Sequence, residues 1–478
     1  MFYLQMIIPK ELIRQRAIIQ VQAERSDNPF MRPSYKFSST ILPILIFYSF
    51  AFSLIPLPPP VIVPNYNRIP IGQIEASEAG AYVARASGIT ATWYNPAGLA
   101  LTQTFALNAS YNGLELMKFD LQDFSSLRSI NIEGTPGFLG VVARVKSPNP
   151  LSLSIALSQP VFWRPAFDAT AKAEMQGFDL SIINDIYFTT YYPAIAAGLV
   201  VNKSFRVGLG ISFPYTSFNV NQSLSGHPQS TDPSDFLLYF HTNGTVLHLA
   251  ASAGIQLQLT DNILFGITFR TPGAKLFNNA WIHYDFMMYK EDTVMSVSLR
   301  DTGAVFEYKQ PAQLSFGLSY SKERWSFELD LNLFQCFGKY TVLRSDENAI
   351  VETFNGTDVT TVTEMPFPNY SYDNKMVINT AIGGDYRISE HLSMHIGFCT
   401  DFSPVNPAYS NTFRSINLFN ITFGVSAVFK KFTGALGTRF NFGSSDSFIT
   451  GKSLMDSPPG TRLLFRSFSL FWAVTLGS

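Results

Sequence analysis

Four arginines lie in short segments of this chain where apolar and polar residues alternate, each on the polar side of the alternation. A guanidinium is a planar donor that binds a carboxylate through two parallel hydrogen bonds. These side chains are therefore candidate contacts for a ligand carboxylate. The alternative is that they pair with acidic residues on the same faces, such as Glu328 and Asp330, and only brace the interior. The four are Arg144, Arg206, Arg270 and Arg439.

No combination of residues in the sequence points to catalysis. A hydrolase needs a nucleophile, a base and an orienting acid in one place, whereas this chain has 6 His and no G-x-S-x-G signature. Cys336 and Cys399 are too few for a disulfide framework and lack metal-ligand spacing. We therefore expect a protein that is not an enzyme and that has no cofactor and no metal.

The segments that carry the arginines are predicted to be β-strands. From 204 to 213 the odd positions are apolar and the even positions are small or polar, and segments 151–158 and 392–398 repeat this pattern. Successive side chains of a strand point to opposite faces, so each segment has one apolar face. A soluble β-sandwich fits the alternation as well, so the connections between strands must decide.

Fourteen strands are predicted, and the links between them alternate between short and long. Short links on one side and long links on the other are typical of an outer-membrane barrel, with periplasmic turns and extracellular loops. A sandwich has no reason to keep this order. The sequence thus predicts an all-β protein, a transmembrane antiparallel β-barrel of about fourteen strands. The strands are 103–118, 137–146, 150–160, 187–201, 203–215, 244–259, 261–272, 311–320, 324–336, 376–388, 391–401, 416–430, 432–443 and 465–476.

The composition agrees with a surface that faces lipid. Aromatic residues make up 14% of the 478 residues, and charged residues also make up 14%, below the roughly 25% usual in soluble domains. The 34 Lys and Arg nearly balance the 35 Asp and Glu, so no overall field favours nucleic acid. We expect no nucleic-acid partner.

The first part of the chain is predicted to be a secretory signal region, residues 1–53. A basic stretch from Met31 to Lys36 precedes an apolar run from Ile41 to Phe50 and a small-x-small site at 51–53. The run is shorter than the roughly 20 residues of a spanning helix, although a membrane anchor is the alternative. Residues 1–30 are polar, which favours a translation start at Met31.

Residues 54–102 do not alternate, and they precede the barrel predicted at 103–478. Small residues dominate after Ile74, while Trp93 and Tyr94 indicate burial against another part of the molecule. An unstructured tail is the alternative. A fourteen-stranded barrel has a wide lumen, so we expect this segment to fill the lumen as a hatch.

The stretch from Ala84 to Ala100, with the core Asn95-Pro96-Ala97-Gly98-Leu99-Ala100, resembles the N-terminal signature of the FadL/TodX long-chain fatty acid and hydrocarbon transporter family. The resemblance extends over most of residues 70–478. It implies that the hatch lies inside the barrel and that an inward kink of the third strand opens a gap in the wall. Asn95, Pro96, Ala97 and Gly98 would then be gating residues.

The resemblance places the kink at the end of the third predicted strand, where Gln159 and Pro160 follow Ser158. Proline cannot donate to a ladder and marks interrupted or edge positions. The alternative is that Pro160 simply ends the strand. Both interpretations remain open from the sequence.

The function implied is passive outer-membrane transport of hydrophobic compounds, long-chain fatty acids first, in a Gram-negative cell. We expect a monomer, inserted by the barrel-assembly machinery among outer-membrane lipid and lipopolysaccharide. Ligands would be captured by the loops at 216–243 and 273–310, enter the plugged lumen and leave sideways. The alternatives are an aromatic-hydrocarbon channel of the same fold, and an adhesin or structural barrel. Capture residues, unless they only pack the loops, are Phe236, Leu237, Phe240, Phe277 and Trp281.

Overall fold

The computed structural model of the chain describes residues 61–62, 64–72, 74–102, 105–121, 131–145, 150–164, 166–171, 178–228, 234–290, 293–355, 358–367, 369–406, 413–446 and 462–477. The predicted signal region and the start at Met31 lie outside these residues. Within the described ranges, no helix is long and apolar enough to cross a membrane.

The helices are short and precede the long strands. In chain order the elements are β1 (Val61–Ile62), α1 (Ile74–Ser77), α2 (Ala91–Tyr94), the 3₁₀ helix η1 (Pro96–Leu101), β2 (Phe105–Leu121), β3 (Asn131–Val145), β4 (Leu151–Trp163), β5 (Ala166–Ala171), β6 (Phe178–Asn202), β7 (Phe205–Ser212), β8 (Tyr215–Pro228), β9 (Ser234–Thr260), β10 (Ile263–Arg270), β11 (Ala274–Lys290), β12 (Thr293–Phe306), β13 (Gln313–Lys322), β14 (Trp325–Phe334), β15 (Gly338–Arg344), β16 (Asn348–Asn355), β17 (Asp358–Pro366), β18 (Tyr370–Asn374), β19 (Val377–Arg387), β20 (Leu392–Asp401), β21 (Phe413–Arg414), β22 (Asn417–Phe429), β23 (Phe432–Asp446) and β24 (Arg462–Gly477).

Fourteen of these strands form a closed wall in which each strand is antiparallel to both neighbours. The order is β2, β3, β4, β6, β7, β9, β10, β13, β14, β19, β20, β22, β23 and β24, and β24 pairs back with β2. Each wall strand overlaps one of the fourteen predicted segments. The prediction of an all-β antiparallel barrel of fourteen strands is confirmed.

One face of the wall is apolar and exposed. On β4, Leu153 and Ile155 are exposed, whereas Ser152 and Ser154 between them are buried. Ile195 on β6 and Leu209 on β7 are also exposed. Because successive side chains alternate between faces, the apolar residues point outward and the small or polar residues point into the lumen, as a lipid-facing band requires.

The segments predicted as long loops contain strands. Relative to β9, β8 continues the line of β7, and β11 continues the line of β10. β12 and β16 extend the same sheet beyond β11, and β17 pairs with β16. The loops at 216–243 and 273–310 are therefore corrected to long hairpins that prolong the wall.

The polarity of the alternation reverses in these extensions, which is why the sequence pattern suggested loops. On β9, Gln256 is an inward polar residue and Ile255 is an exposed apolar one, but Leu238 and Phe240 further along are buried and inward. Their outward neighbour His241 is polar. Above the lipid band the outward face meets water, so the apolar residues pack in the interior instead.

Candidate functional site

Residues 64–102, called here the N-terminal segment, pack against the inward face of the wall. Ser77, Glu78, Asn95, Ala97 and Leu99 are all completely buried. The packing involves η1 against β6, β7 and β9, and α1 against β20 and β22. The segment predicted as a hatch thus contacts lumen-facing residues; its role as a moving gate stays a prediction.

A row of wall glycines makes room for η1. Gly198, Gly208 and Gly254 lie side by side on β6, β7 and β9 as direct cross-strand partners. A Cβ at Gly198 would come 2.6 Å from Ala100 N, and one at Gly208 would overlap the backbone of Pro96 and Ala97. Because glycine has no Cβ, the backbone of η1 approaches the strands directly.

Asn95 anchors the start of η1. Its Nδ2 donates to the carbonyls of Val83 (2.9 Å) and Ile255 (3.0 Å), and its Oδ1 accepts from the Ala97 N–H (3.1 Å). Pro96 fits the first turn of a helix, where no N–H is needed. The four predicted gating residues, Asn95 to Gly98, therefore form a fully buried, hydrogen-bonded cap against the wall.

Acidic residues of β14 hold the middle of the N-terminal segment. Asp330 accepts from the N–H groups of Tyr82 (2.7 Å) and Val83 (3.1 Å), and Glu328 accepts from the N–H of Ala84 (2.6 Å). These carboxylates, predicted to lie on the polar side of their strand, therefore bind the backbone of the segment.

Arg85 is the charged centre of this contact. It forms ion pairs with Glu78, Glu328 (2.9 Å) and Asp385 (3.1 Å). Burial disfavours its charged form, but Glu78 and Glu328 outweigh this and raise the pKa of Arg85 above its ordinary value. Burial also raises the pKa of the neighbouring Tyr82 well above its usual range. Arg85 therefore stays charged and ties the segment to β14 and β19.

The wall is interrupted at the end of β4. The β3–β4 ladder runs from Val145↔Leu151 to Phe138↔Ser158, and within the described parts of both strands no pairing follows it. The β4–β6 ladder shifts register between Ser158 and Val161. Ser158 to Trp163 are all buried, so the in-and-out alternation is lost. Gln159 and Pro160, predicted at a wall kink, lie in this stretch.

The end of β4 turns into the lumen. The Trp163 ring centroid is 5.1 Å from that of Phe465 on β24, beyond β3 and β2. The paired part of β4, Leu151–Ser158, rises roughly 20 Å at the usual strand rise and tilt. The interruption therefore begins in the outer part of an apolar band that is about 25 Å tall.

Three small cavities meet at Trp93 and Arg270, between the N-terminal segment and the wall. Both residues line all three cavities. The Arg270 guanidinium carbon is 4.2 Å from the Trp93 ring centroid, and Nη1 and Nη2 donate to Gln313 Oε1 (2.9 Å) and to the Trp93 carbonyl (3.1 Å). The central cavity, bounded by Asn67, Ile69, Trp93, Arg270, Asn379 and Thr400, has a volume of ≈ 50 Å³.

Asn379 lines the central cavity and carries an unused donor. Its Oδ1 accepts from the Phe402 N–H (2.9 Å), which fixes the orientation of the amide. Nδ2 is buried and has no hydrogen-bond partner among the described residues. An unsatisfied buried donor costs roughly 1–3 kcal/mol, so the site favours an incoming acceptor. Sequence analysis missed Asn379, whose only signal was its place on the polar side of a predicted strand.

The structure separates the four predicted carboxylate contacts. Arg270 lies at the cavities, while Arg206 donates to Gln256 Oε1 (3.4 Å), and Gln256 in turn binds the carbonyls of Ala84 and Ala86. Arg439 is buried beside Glu115 (3.8 Å), which fits the bracing alternative. Arg144 is exposed at the end of β3. They do not converge on one ligand site.

The five predicted capture residues lie on both faces of the sheet and do not form one surface. Phe236 and Phe240 are on the inward face, and Phe240 is 2% exposed. Leu237, Phe277 and Trp281 are on the outward face, where Leu237 and Phe277 are exposed. The alternation of a strand separates them, because the predicted loops are strands.

The inward face above the N-terminal segment carries two buried aromatic clusters. In the first, Phe188 packs on Tyr308 at 4.9 Å between ring centroids, and Phe218 stacks on Phe306 at 5.3 Å. The second contains Phe240, Tyr284, Phe367 and Tyr370.

Within the described residues, no group of three or more His, Cys, Asp or Glu could hold a metal ion.

No family model and no curated protein sequence matches the chain. Solved structures are similar, among them the CymD monoaromatic hydrocarbon channel (14% identity, 86% of this chain and 99% of that chain, TM-score 0.54). Also similar is a Pseudomonas aeruginosa FadL homologue, with 13% identity over 87% of this chain and 99% of that chain and a TM-score of 0.55. The P. putida toluene transporter TodX is similar as well, with 13% identity over 86% of this chain and 99% of that chain and a TM-score of 0.57. At this identity the likeness establishes the shared fold. The prediction of a non-enzyme agrees with the names of these structures.

Proposed function

We propose, from the premise that this chain has the FadL-type fold, that it is an outer-membrane channel for hydrophobic compounds. One observation carries the proposal: a closed fourteen-stranded barrel has its lumen side covered by the N-terminal segment and lined above that segment by aromatic side chains. A filled lumen does not suit a porin for small polar solutes. The barrel works here as a monomer inserted by the barrel-assembly machinery, with lipid around its apolar band and lipopolysaccharide on the outer side.

The proposed route follows the apolar surfaces of the interior. A lipophile enters between the aromatic clusters, reaches the cavities at Trp93 and leaves sideways where β4 separates from β3. Burial of apolar surface is worth about 25 cal/mol per Å², so capture needs no energy source. The central cavity of ≈ 50 Å³ is smaller than the roughly 150 Å³ cavity that holds a benzene ring. Passage of a lipophile therefore requires the N-terminal segment to move and enlarge the cavity. This movement is the gating role proposed for the hatch.

The donors at the central cavity favour a ligand with a carboxylate, and a long-chain fatty acid is the first candidate. Arg270 supplies a guanidinium and Asn379 a fixed, unpaired Nδ2. A volume of ≈ 50 Å³ exceeds the roughly 10–15 Å³ that a cavity needs to hold one water, so a small polar headgroup fits. Charge-assisted hydrogen bonds then compensate the donors.

An aromatic hydrocarbon is the second candidate. Two of the similar structures are named as a monoaromatic hydrocarbon channel and a toluene transporter. In this chain Trp93 and Tyr192 line the cavities with their rings 5.1 Å apart. Such a pair offers edge and face contacts to a small ring. A neutral hydrocarbon would leave the Arg270 and Asn379 donors without a new acceptor.

The test is uptake by cells that lack their own transporter and express this chain. Radiolabelled long-chain fatty acid and toluene are compared for the unmodified protein and for Arg270→Met, Asn379→Leu and the pair Asn95→Ala with Pro96→Ala. We expect Arg270→Met and Asn379→Leu each to lower fatty-acid uptake about tenfold, which corresponds to a loss of about 1.4 kcal/mol in binding free energy. Toluene uptake should stay within twofold of that of the unmodified protein. The Asn95–Pro96 double variant should lower uptake of both.

Arg206→Met is the matched control, since Arg206 faces the lumen but borders none of the three cavities. It should change fatty-acid uptake less than twofold. Toluene uptake without fatty-acid uptake would assign the hydrocarbon role. Uptake of neither compound by a folded, heat-modifiable barrel would contradict transport and leave an adhesive or structural role.

A further inference from the structure

Four ring side chains form a continuous strip on the outward face of the strand extension, called here the ring strip. They are Tyr239 and His241 on β9 and Trp281 and His283 on β11, and the two histidines are direct cross-strand partners. His241 packs edge-on against Trp281 at 4.6 Å between ring centroids, and Tyr239 packs in the same way against His283 at 5.3 Å. Their neighbours along each strand are buried on the inward face, whereas the four rings stay partly exposed. The proposed route for a lipophile runs through the interior and leaves this strip without a role.

Short amide side chains lie beside the ring strip. Asn243 on β9 is the cross-strand partner of Trp281. On β8, Asn219 pairs with Asn243 and Asn221 pairs with His241. An amide offers both a donor and an acceptor. The strip therefore has a polar rim that can exchange hydrogen bonds with hydroxyl groups.

The charged groups next to the ring strip neutralise one another. Arg300 on β12 donates to both carboxylate oxygens of Asp285 (2.9 and 2.8 Å), and His283 contacts the same carboxylate at 2.8 Å. Burial and the neighbouring His283 lower the pKa of His241 below its ordinary value, so this ring is uncharged at neutral pH. Such a surface favours an uncharged polar ligand over a phosphate.

The ring strip lies above the lipid band, on strands that also form the band. On β9 the outward residues Ile255 and Leu249 are apolar and exposed, and from Thr245 to His241 the outward residues are polar. His241 is eight residues beyond Leu249 (249 − 241), which is roughly 20 Å at the usual strand rise and tilt. The headgroup region adds only about 5–7 Å to each side of the hydrocarbon core. The strip is therefore too high for an aromatic girdle at the bilayer interface.

A saccharide matches both the chemistry and the height of this face. The C–H groups of a sugar ring pack on the partially negative faces of aromatic rings, and its hydroxyl groups bind amides. Lipopolysaccharide carries sugars directly above its acyl chains. A molecule whose acyl chains lie against Ile255 and Leu249 thus brings its saccharide to the ring strip on the same strands.

We propose that the outward face of β8, β9 and β11 around the ring strip binds the saccharide chain of the lipopolysaccharide next to the barrel, through its uncharged sugars. Tyr239 and Trp281 are the stacking residues, and Asn221 and Asn243 bind hydroxyl groups. The proposal goes beyond the channel function and requires only that the barrel lies in the outer membrane. Binding at this face holds the long hairpins in the sugar layer and does not involve the lumen.

Binding of an oligosaccharide without lipid tests the proposal. The probe is the core oligosaccharide of lipopolysaccharide, released from lipid A by mild acid and titrated onto the purified, heat-modifiable barrel in detergent. We expect saturation-transfer NMR to show contact with its uncharged sugars. The double variant Tyr239→Ala with Trp281→Ala should bind at least tenfold more weakly. Trp281→Phe, which keeps an aromatic face, should bind within threefold of the unmodified protein.

Trp325→Ala with Tyr386→Ala is the matched control, since it removes the same two residue types. These rings are 4.4 Å apart on β14 and β19, beside a short link at the other end of the wall. The control variant should bind the oligosaccharide within twofold of the unmodified protein. Absence of binding to the unmodified protein would overturn the proposal, and so would equal weakening by the two double variants.

Vesicles that differ only in their sugar provide a second measurement. One set contains lipid A alone and the other contains lipopolysaccharide with its full core. We expect the unmodified barrel to unfold at least threefold more slowly on heating in the second set, because a ligand that binds only the folded state stabilises it. The double variant at Tyr239 and Trp281 should lose this difference and unfold in lipid A within twofold of the unmodified rate.

Equal unfolding rates of the unmodified barrel in the two sets of vesicles would contradict sugar binding. A difference that persists in the double variant would contradict the assignment of the ring strip. Neither experiment uses a lipophile, so a failure of uptake and a failure of sugar binding are observed separately.

Discussion

Glycine positions on the inward face decide how closely the N-terminal segment approaches the wall. Gly198, Gly208 and Gly254 form one row under η1, and Gly266 and Gly317 face the backbone of Val83 and Ala84. Packed interiors tolerate little extra volume. These positions therefore need glycine because a Cβ would collide with the segment, and not because the backbone conformation is unusual. The missing side chains leave the space on the inward face that the segment occupies.

A single added methyl group in this row should loosen the segment. We expect Gly208→Ala to lower the free energy of unfolding by about 1–3 kcal/mol, the usual cost of overpacking, because its Cβ would overlap the Pro96–Ala97 backbone. Gly434→Ala on β23 is the control, since its Cβ would make only an ordinary contact with Phe432 at 3.5 Å. Urea unfolding in lipid vesicles measures both. Equal effects of the two variants would show that the row does not hold the segment.

At the scale of the element, β9 shows how one strand serves two environments. Toward Thr260 its apolar side chains, such as Ile255 and Leu259, face outward. Toward Ser234 its apolar side chains, such as Leu238 and Phe240, face the interior. The backbone alternation is continuous, but the solvent outside changes from lipid to water. The strand therefore carries two opposite polarity patterns in succession.

Charge placed on the outward face of β9 should separate the two environments. Ile255→Lys should destabilise the barrel by about 2–4 kcal/mol, the cost of Lys near the bilayer midplane. Thr245→Lys, also on the outward face but in the extension, should change stability by about 0.5 kcal/mol or less. The free energies of unfolding of the two variants and the unmodified protein, measured with urea in lipid vesicles, provide the comparison. A cost at Thr245 equal to that at Ile255 would mean that the lipid band reaches further along β9 than we infer.

At the scale of the whole molecule, wall and N-terminal segment have separate structural roles. The wall closes through its own ladders, from β2 around to β24. The segment adds buried contacts to β14 through Glu328 and Asp330, and to β4 through Ile69. We therefore expect the barrel to form without the segment, whereas the buried apolar cluster of the segment is completed by wall residues such as Phe138 and Val142.

Deletion of residues 64–102 should open the lumen. We expect the shortened barrel to fold, to remain heat-modifiable and to conduct ions as a wide pore, because a fourteen-stranded lumen passes water when it is not filled. Glu328 and Asp330 would then be hydrated by lumenal water. Single-channel recording in planar bilayers measures the difference from the full chain. Equal conductance of the two proteins would contradict the assignment of the segment as the plug.

The sequence alone determined the barrel. Period-two alternation located all fourteen wall strands, because side chains that face lipid must be apolar along every strand. It also predicted a segment at 54–102 before the barrel, bounds that stay a prediction, and it marked Pro160, which lies where the β3–β4 ladder has ended. The strand extensions were missed, since outside the lipid band the outward residues are polar and the pattern resembles loops.

Only the tertiary structure decided which residues meet in the lumen. Arg270 and Asn379 border one cavity although 109 positions separate them (379 − 270), while Arg439 pairs with Glu115 and Arg144 stays exposed. Parity along a strand tells which face a residue occupies, but not its height or its neighbours across the barrel. Those depend on strand register and on the fit of the N-terminal segment against the glycine row, which no single strand encodes.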